Sequence, residues 1–232
     1  MNKQSHLELF ARKAISALDD RLEDEFATLI AFLGDNPELA RTRRAKNAPQ
    51  LGSDAHILVE AHHFSVSRQM RSPKVPMTVP DVAVSKVLEA HYGVESSELD
   101  RVKREHLLSM AAEGFVGDLL ERYIAANVRD HGWIWCSGES VKHVDFVRRG
   151  TSSNVPWESL QVKNRDNSEN SSSAAIRVGT SIQKWHRTKS RTGDTCWDTF
   201  PAATSRPLTE VGFLAFIDDY FDRLRMLGLP AV

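Results

Sequence analysis

Apolar residues recur every three or four positions through the first part of the chain and every second position through its middle. Leu7, Phe10, Ala14, Leu18, Leu22, Phe26 and Ile30 stand at helical spacing within "LELFARKAISALDDRLEDEFATLIAFL", which predicts helix. Gly34-Asp35-Asn36-Pro37 ends it; "PELARTRRAK" reads as a short helix with a basic end and "NAPQLGSDAH" as a loop. Three prolines within residues 72–82, "SPKVPMTVPDV", exclude a regular element there. From Ser96, "SSELDRVKREHLLSM" reads as a capped amphipathic helix. A second helix, "EGFVGDLLERYIAANV", follows, with a core face of Val116, Leu119, Leu120, Tyr123 and Ile124. Glu113, Gly117 and Glu121 form a separate stripe four residues apart.

The period then shortens to two. Residues 132–138, 141–149 and 157–164 read as strands. In the second, His143, Asp145 and Val147 share one face, with Val144 and Phe146 on the other. In the third, Ser159, Gln161 and Lys163 share a face, and Leu160 and Val162 oppose it. A helix is expected near Gly179 to Arg187. A C-terminal helix, "TEVGFLAFIDDYFDRLRML", should bury Phe213, Phe216, Ile217, Tyr220 and Leu224. The order is α/β, with residues 1–95 a helical accessory region and 96–232 the core and C-terminal helix, packed as one compact body.

Composition adds little until charge is located. Hydrophobic content of 41% and charged content of 26% are those of an ordinary globular protein. The two cysteines, Cys136 and Cys196, are too few for a disulfide framework and lack metal-site spacing. With no secretory signal in "MNKQSHLELF", the expected location is cytoplasmic, with free thiols. From Val141 to Arg191 there are ten Lys/Arg and four Asp/Glu, a net +6; the remainder, twenty against twenty-seven, is −7. A basic segment inside a neutral chain is the footprint of a polyanion partner.

Chemistry concentrates in the same window. Asp145 on one strand faces Gln161-Val162-Lys163 on the next. A hard divalent cation takes oxygen ligands, and Asp145 offers a carboxylate, Gln161 an amide oxygen and Val162 a backbone carbonyl. Glu121 on the preceding helix can add a carboxylate. Lys163 is then placed to hold and polarise an attacking water. The simpler reading is a surface Lys163, with Asp145 paired to Lys142 or Arg148.

"VDFV" followed by "LQVK" resembles the core motif of the PD-(D/E)xK nucleases in its Q-x-K variant, with Val144 in place of the motif's proline and Gln161 in place of its acid. The longer stretch "KNRDNSENSSSAAIRVGTSIQKW", with "GFVGDLLERYI", "GW" and "CSGESVKHVDFV", is similar to the SinI family of type II restriction endonucleases over about Glu113 to Trp197. The resemblance implies a nuclease-like core of helix, mixed sheet and helix, with a helical N-terminal extension and a C-terminal helix. It implies Mg²⁺-dependent hydrolysis of double-stranded DNA within GG(A/T)CC, leaving 5′-phosphates. A homodimer and a companion DNA methyltransferase of the same specificity would accompany it. Without the motif's acid, metal affinity leans on Asp145 and on Glu121 or Glu139.

Amides and guanidinium groups read base edges in the major groove. Asn164, Arg165, Asn167, Asn170 and Arg177 therefore read as a recognition ribbon continuing the strand of Lys163. Ser171 and Ser172, with Lys184, Arg187 and Lys189, suit phosphate contacts. Two other readings stay open: a nuclease directed to modified or damaged DNA, and a non-catalytic DNA-binding protein of the same fold.

Overall fold

The computed structural model describes residues 3–41, 48–79, 81–152, 155–166 and 182–228. Its helices are α1 (Lys3–Ser16), α2 (Glu23–Asp35), α3 (Asp54–Arg68), α4 (Val82–Tyr92), α5 (Leu99–Val128) and α6 (Glu210–Met226). Its strands are β1 (Ile134–Trp135), β2 (Phe146–Ser152), β3 (Val155–Arg165) and β4 (Ile182–Thr188). The sheet has the order β1-β2-β3-β4; β1–β2 and β2–β3 pair antiparallel and β3–β4 parallel. It is a mixed sheet, as expected.

Packing divides the chain into two compact units, Met1–Gln69 with Glu121–Phe216, and Met70–Leu120 with Ile217–Val232. The boundary expected at residue 95 falls inside the second. The first unit is layered about the sheet. One face carries Ile134, Val147 and Trp157, which join a core with Ala11, Ile15, Phe26, Leu29, Ile30, Phe32, Ile57 and Phe64 of α1, α2 and α3. The other face carries Trp185, which packs on Trp197 at 5.2 Å and Phe200 at 5.0 Å between ring centroids. Tyr123 and Phe213 extend that aromatic cluster. Trp133, Trp135 and Trp185 are all buried. The second unit holds a smaller core in which Phe115 meets Tyr220 and Phe221, and the Tyr220 hydroxyl donates to Arg71 O at 3.0 Å.

Several elements differ from expectation. The first predicted helix is two, because the Asp19 carboxylate accepts from Arg21 N at 3.1 Å and starts a new 3-10 turn. "PEL" is a single 3-10 turn. The two helices expected from Ser96 are one helix of 30 residues; Gly114 and Gly117 lie inside it, where glycine costs only about 1 kcal/mol against alanine. Residues 182–188 form β4 rather than helix. The second strand begins at Phe146, not 141. His143 has φ 59, and this left-handed residue breaks the alternation, so Val144 joins Val147 in one core instead of opposing it. Among the described residues no helix is long and apolar enough to cross a membrane.

Candidate active site

The segment leading to Asp145 is pinned from several sides. Gly138, at φ +90, lets the backbone approach α3 so closely that a Cβ would lie 2.9 Å from the His63 carbonyl carbon. Ser137 Oγ donates to Phe64 O at 3.2 Å, and Ser140 Oγ to the buried Glu60 carboxylate. Arg41 N donates to Ser140 O at 2.9 Å and Lys142 N to Leu39 O at 2.8 Å. Two non-glycine residues of this segment, Glu139 and His143, have positive φ. Such conformations persist only where the surroundings over-determine them.

Asp145 then stands at the mouth of the β2–β3 ladder. Its N–H donates to Leu160 O at 2.9 Å, and its carbonyl accepts from Cys136 N at 2.8 Å. The next rung is made by a side chain: Val162 N–H donates to Asp145 Oδ2 at 2.7 Å. In an extended strand the N–H and C=O of one residue point to the same neighbour, so the Val162 carbonyl is directed to the Asp145 side as well. Phe146 pairs with Leu160, so one step further Asp145 lies opposite Gln161, and both share a face with Lys163. Gln161 is only 2% exposed.

Burial pushes the Asp145 carboxyl up to about 6, against the Val162 N–H and the Lys163 ammonium, which both favour its charged form. Burial acts here even though part of the residue's surface remains accessible. The simpler pairing of Asp145 does not occur. Lys142 Nζ donates to Glu38 O at 3.2 Å, and Arg148 pairs with Glu158 at 2.7 Å. The neighbouring Cys136 thiol is pushed well above its ordinary value by burial and by Asp145, which keeps it neutral.

Glu121 accepts a hydrogen bond from Trp135 Nε1 at 2.8 Å. Glu139 is paired with Arg41. Among the described residues no three His, Cys, Asp or Glu side chains gather as a metal cluster, so Glu121 and Glu139 are not brought together with Asp145 in one cluster.

Of the residues expected to contact DNA, Asn164 of the ribbon and the phosphate candidate Arg187 lie on the opposite face of the sheet from Lys163. Arg187 Nε donates to Asn164 Oδ1 at 2.9 Å, and its guanidinium pairs with Glu210 beneath Trp197 and over the Phe213 ring. Both are half-buried and paired on that face. Arg165 and Lys189 are exposed at the ends of β3 and β4. Lys184 stands beside Gln161, and His186 beside Lys163, in the parallel β3–β4 register. Lys184 is thus closer to the centre than a phosphate contact in a distal loop would be. His186 was not anticipated; the alternation of "IQKWHRT" carried the signal once those residues are read as a strand. Asn167, Asn170, Ser171, Ser172 and Arg177 lie outside the described residues.

The sequence signature of the SinI restriction endonucleases matches residues 8–223. The chain belongs to the SinI restriction endonuclease family. The similarity reaches well beyond Glu113 to Trp197 and takes in α1 to α4. Among curated relatives, the type II restriction enzyme Eco47I of Escherichia coli is 46% identical over 94% of this chain and 95% of its own length. The type II restriction enzyme SinI of Salmonella infantis is 43% identical over 94% and 95%. As a SinI-family member, the chain carries Asp145, Gln161 and Lys163 inside the matched region.

Proposed function

We propose that this protein is a type II restriction endonuclease that hydrolyses double-stranded DNA at GG(A/T)CC with Mg²⁺, through a nuclease site of the PD-(D/E)xK kind. The observation that carries the reading is the Asp145 carboxyl. It is half-buried at the end of a strand ladder, raised to about 6, and faces Lys163 with the Val162 carbonyl on its own side. Family membership supports the class of activity, and the basic window 141–191 supports a polyanionic substrate.

The donor set fits Mg²⁺. A carboxylate raised by burial lacks compensating positive charge, and a cation restores it. Mg²⁺ is commonly held by one or two carboxylates while keeping several waters, which suits Asp145 with the neutral oxygens of Val162 and Gln161. Glu121 accepts the Trp135 indole N–H on Oε2, and its Oε1 is a further carboxylate oxygen. Bound there, Mg²⁺ supplies positive charge against the scissile phosphate.

The chain's own groups do the rest. Lys163 donates hydrogen bonds to the attacking water and favours the negative charge that develops on its oxygen. The new P–O bond forms as that water releases a proton to solvent, and the bond from phosphorus to the 3′ oxygen breaks as that oxygen takes a proton from solvent, leaving a 5′-phosphate and a 3′-hydroxyl. Val162 N–H fixes the Asp145 rotamer. Arg165, Lys184 and Lys189 contact DNA, together with Asn167, Asn170, Ser171, Ser172 and Arg177. A cytoplasmic location and a companion methyltransferase protecting the same sequence complete the reading.

The test is a digest of unmethylated plasmid with Mg²⁺ or with EDTA, followed by sequencing of the ends. Discrete 5′-phosphate ends within GG(A/T)CC, absent with EDTA, are expected. Discrete ends at another sequence would discard the specificity alone. A protein that binds the plasmid but never cuts it would transfer the reading to a modification-dependent nuclease or a non-catalytic binder.

A further inference from the structure

The face of the sheet that carries Asp145 changes character along its strands. At one end Val147 of β2 and Trp157 of β3 join the apolar core shared with α1, α2 and α3, and Ile182 of β4 packs against it. Further along, the same face carries Asp145 just before β2, Gln161 and Lys163 on β3, and Lys184 and His186 on β4. The side chains flanking His186 fix the rotation of β4. Trp185 is held on the opposite face by Trp197, by Phe200 and by its indole N–H, which donates to Cys196 O at 3.1 Å. Arg187 is held there by Asn164 and Glu210. His186, between them, therefore faces the Asp145 side. The parallel ladder stays in register from Ser159 and Ile182, through Lys163 and His186, to Arg165 and Thr188. With neighbouring strands about 4.8 Å apart, the His186 ring stands beside the Lys163 side chain. The residue is half-buried, and no described residue hydrogen-bonds its ring.

We infer that His186 is a further catalytic residue: its neutral imidazole takes the proton that the attacking water sheds and passes it to solvent. The inference rests on the nuclease reading, which sets that water against Lys163. A water that attacks phosphorus must lose one of its protons, and an acceptor within hydrogen-bond reach speeds the loss. Chemistry singles out the acceptor among the polar groups of this face. Lys163 and Lys184, as ammonium groups, are donors only, and the Gln161 amide takes no proton. The Asp145 carboxylate is turned to the cation in that reading, and β3 lies between it and His186. A neutral imidazole has one accepting and one donating nitrogen, so the ring can take a proton on one and release a proton to bulk water from the other. The step balances. The electron pair of the broken O–H bond stays on the oxygen that bonds phosphorus, and the proton moves to the ring nitrogen and then to solvent.

The experiment compares wild type, His186→Ala, His186→Gln and Lys163→Ala in single-turnover nicking of unmethylated plasmid with Mg²⁺, with and without added imidazole. Plasmid binding is measured in Ca²⁺, and circular dichroism checks folding. Glutamine keeps a hydrogen-bonding group but takes no proton, so it carries the test alone if His186→Ala does not fold. Both His186 variants should bind like wild type and cut about 10²-fold or more slowly, on the scale of losing a proton acceptor. Imidazole, rising in concentration, should restore His186→Ala towards the wild-type rate and leave Lys163→Ala slow. Wild-type rates in either His186 variant overturn the inference. So does a slow His186→Ala that imidazole never restores, which would leave the ring a packing role. A loss of affinity that matches the loss of rate overturns it in favour of a DNA contact. A wild type that does not cut removes the nuclease reading and this inference with it; a wild type that cuts while His186→Gln keeps pace removes the inference alone.

Discussion

α5 is one helix with two histories. From Leu99 to Gly114 it buries nothing; from Phe115 to Val128 it buries Phe115, Leu119, Leu120, Tyr123, Ile124 and Val128. Both halves are amphipathic in sequence. The second half contributes Tyr123 and Ile124 to the unit that carries the sheet and Asp145, while the first half belongs with α4 to a region of half-exposed apolar side chains. Periodicity therefore announces that a helix face is to be covered and leaves open by what. Where the cover is the chain's own sheet, the helix fixes a site. Where no described residue covers it, the face stays exposed.

The sharpest contrast should appear in catalysis. Asp145→Ala, in the buried unit, should lower cleavage by about 10³-fold or more at constant Mg²⁺, on the scale of losing a group that stabilises developing charge. Leu108→Ala, on the exposed half of α5, should leave single-turnover cleavage at saturating protein unchanged. Equal losses in the two variants would break the comparison.

Stability should divide in the same way. Ile124→Ala should cost about 2–5 kcal/mol, as for a fully buried aliphatic side chain, read by urea denaturation. Leu108→Ala should stay within roughly 0.5 kcal/mol under dilute conditions. Removing the Arg187 guanidinium, paired with Glu210 and Asn164, should cost about 1–3 kcal/mol, because it leaves the half-buried Glu210 carboxylate and Asn164 amide without their donor. Lys189→Ala should leave stability alone and reduce the salt dependence of DNA binding by about one ion. If the stability costs of Arg187→Ala and Lys189→Ala were interchanged, the assignment of one to the interior and the other to the DNA surface would be wrong.

The smallest effect tests the electrostatics of Asp145. Its carboxyl holds a proton up to about pH 6 in the folded chain, against an ordinary value of 3.8. The folded state therefore binds more protons than the unfolded one between these values, and stability contributed by this group falls as pH rises from about 4 to 6, then levels. Asp145→Asn should thus be more stable than wild type at pH 7 by roughly 1–3 kcal/mol, with no gain below about pH 4. Wild-type cleavage should rise as pH passes through about 6, with added metal shifting that rise to lower pH.

Much of the site was legible because its signal is local. On β3, Leu160 and Val162 alternate with Ser159, Gln161 and Lys163, and the structure keeps both sets on opposite faces. Gln161 is buried on that face, two residues before Lys163. What escaped depends on distant or conformational facts. β4 pairs parallel with β3 across an intervening stretch of chain, so nothing within "IQKWHRT" announces its partner. The left-handed turn at His143 shifts every face before Asp145, and no periodicity reveals it. By composition Asn164 reads as a base contact and Arg187 as a phosphate contact, yet they point to the other face of the sheet and satisfy each other and Glu210.

The most direct test of the account uses Lys163→Ala. Binding and single-turnover cleavage of one duplex containing GG(A/T)CC would be measured side by side with wild type, in Ca²⁺ for binding and Mg²⁺ for cleavage. The account predicts unchanged affinity with cleavage reduced by about 10²- to 10³-fold. Cleavage at the wild-type rate by Lys163→Ala would contradict it, and would move the active site away from the Asp145–Gln161–Lys163 face.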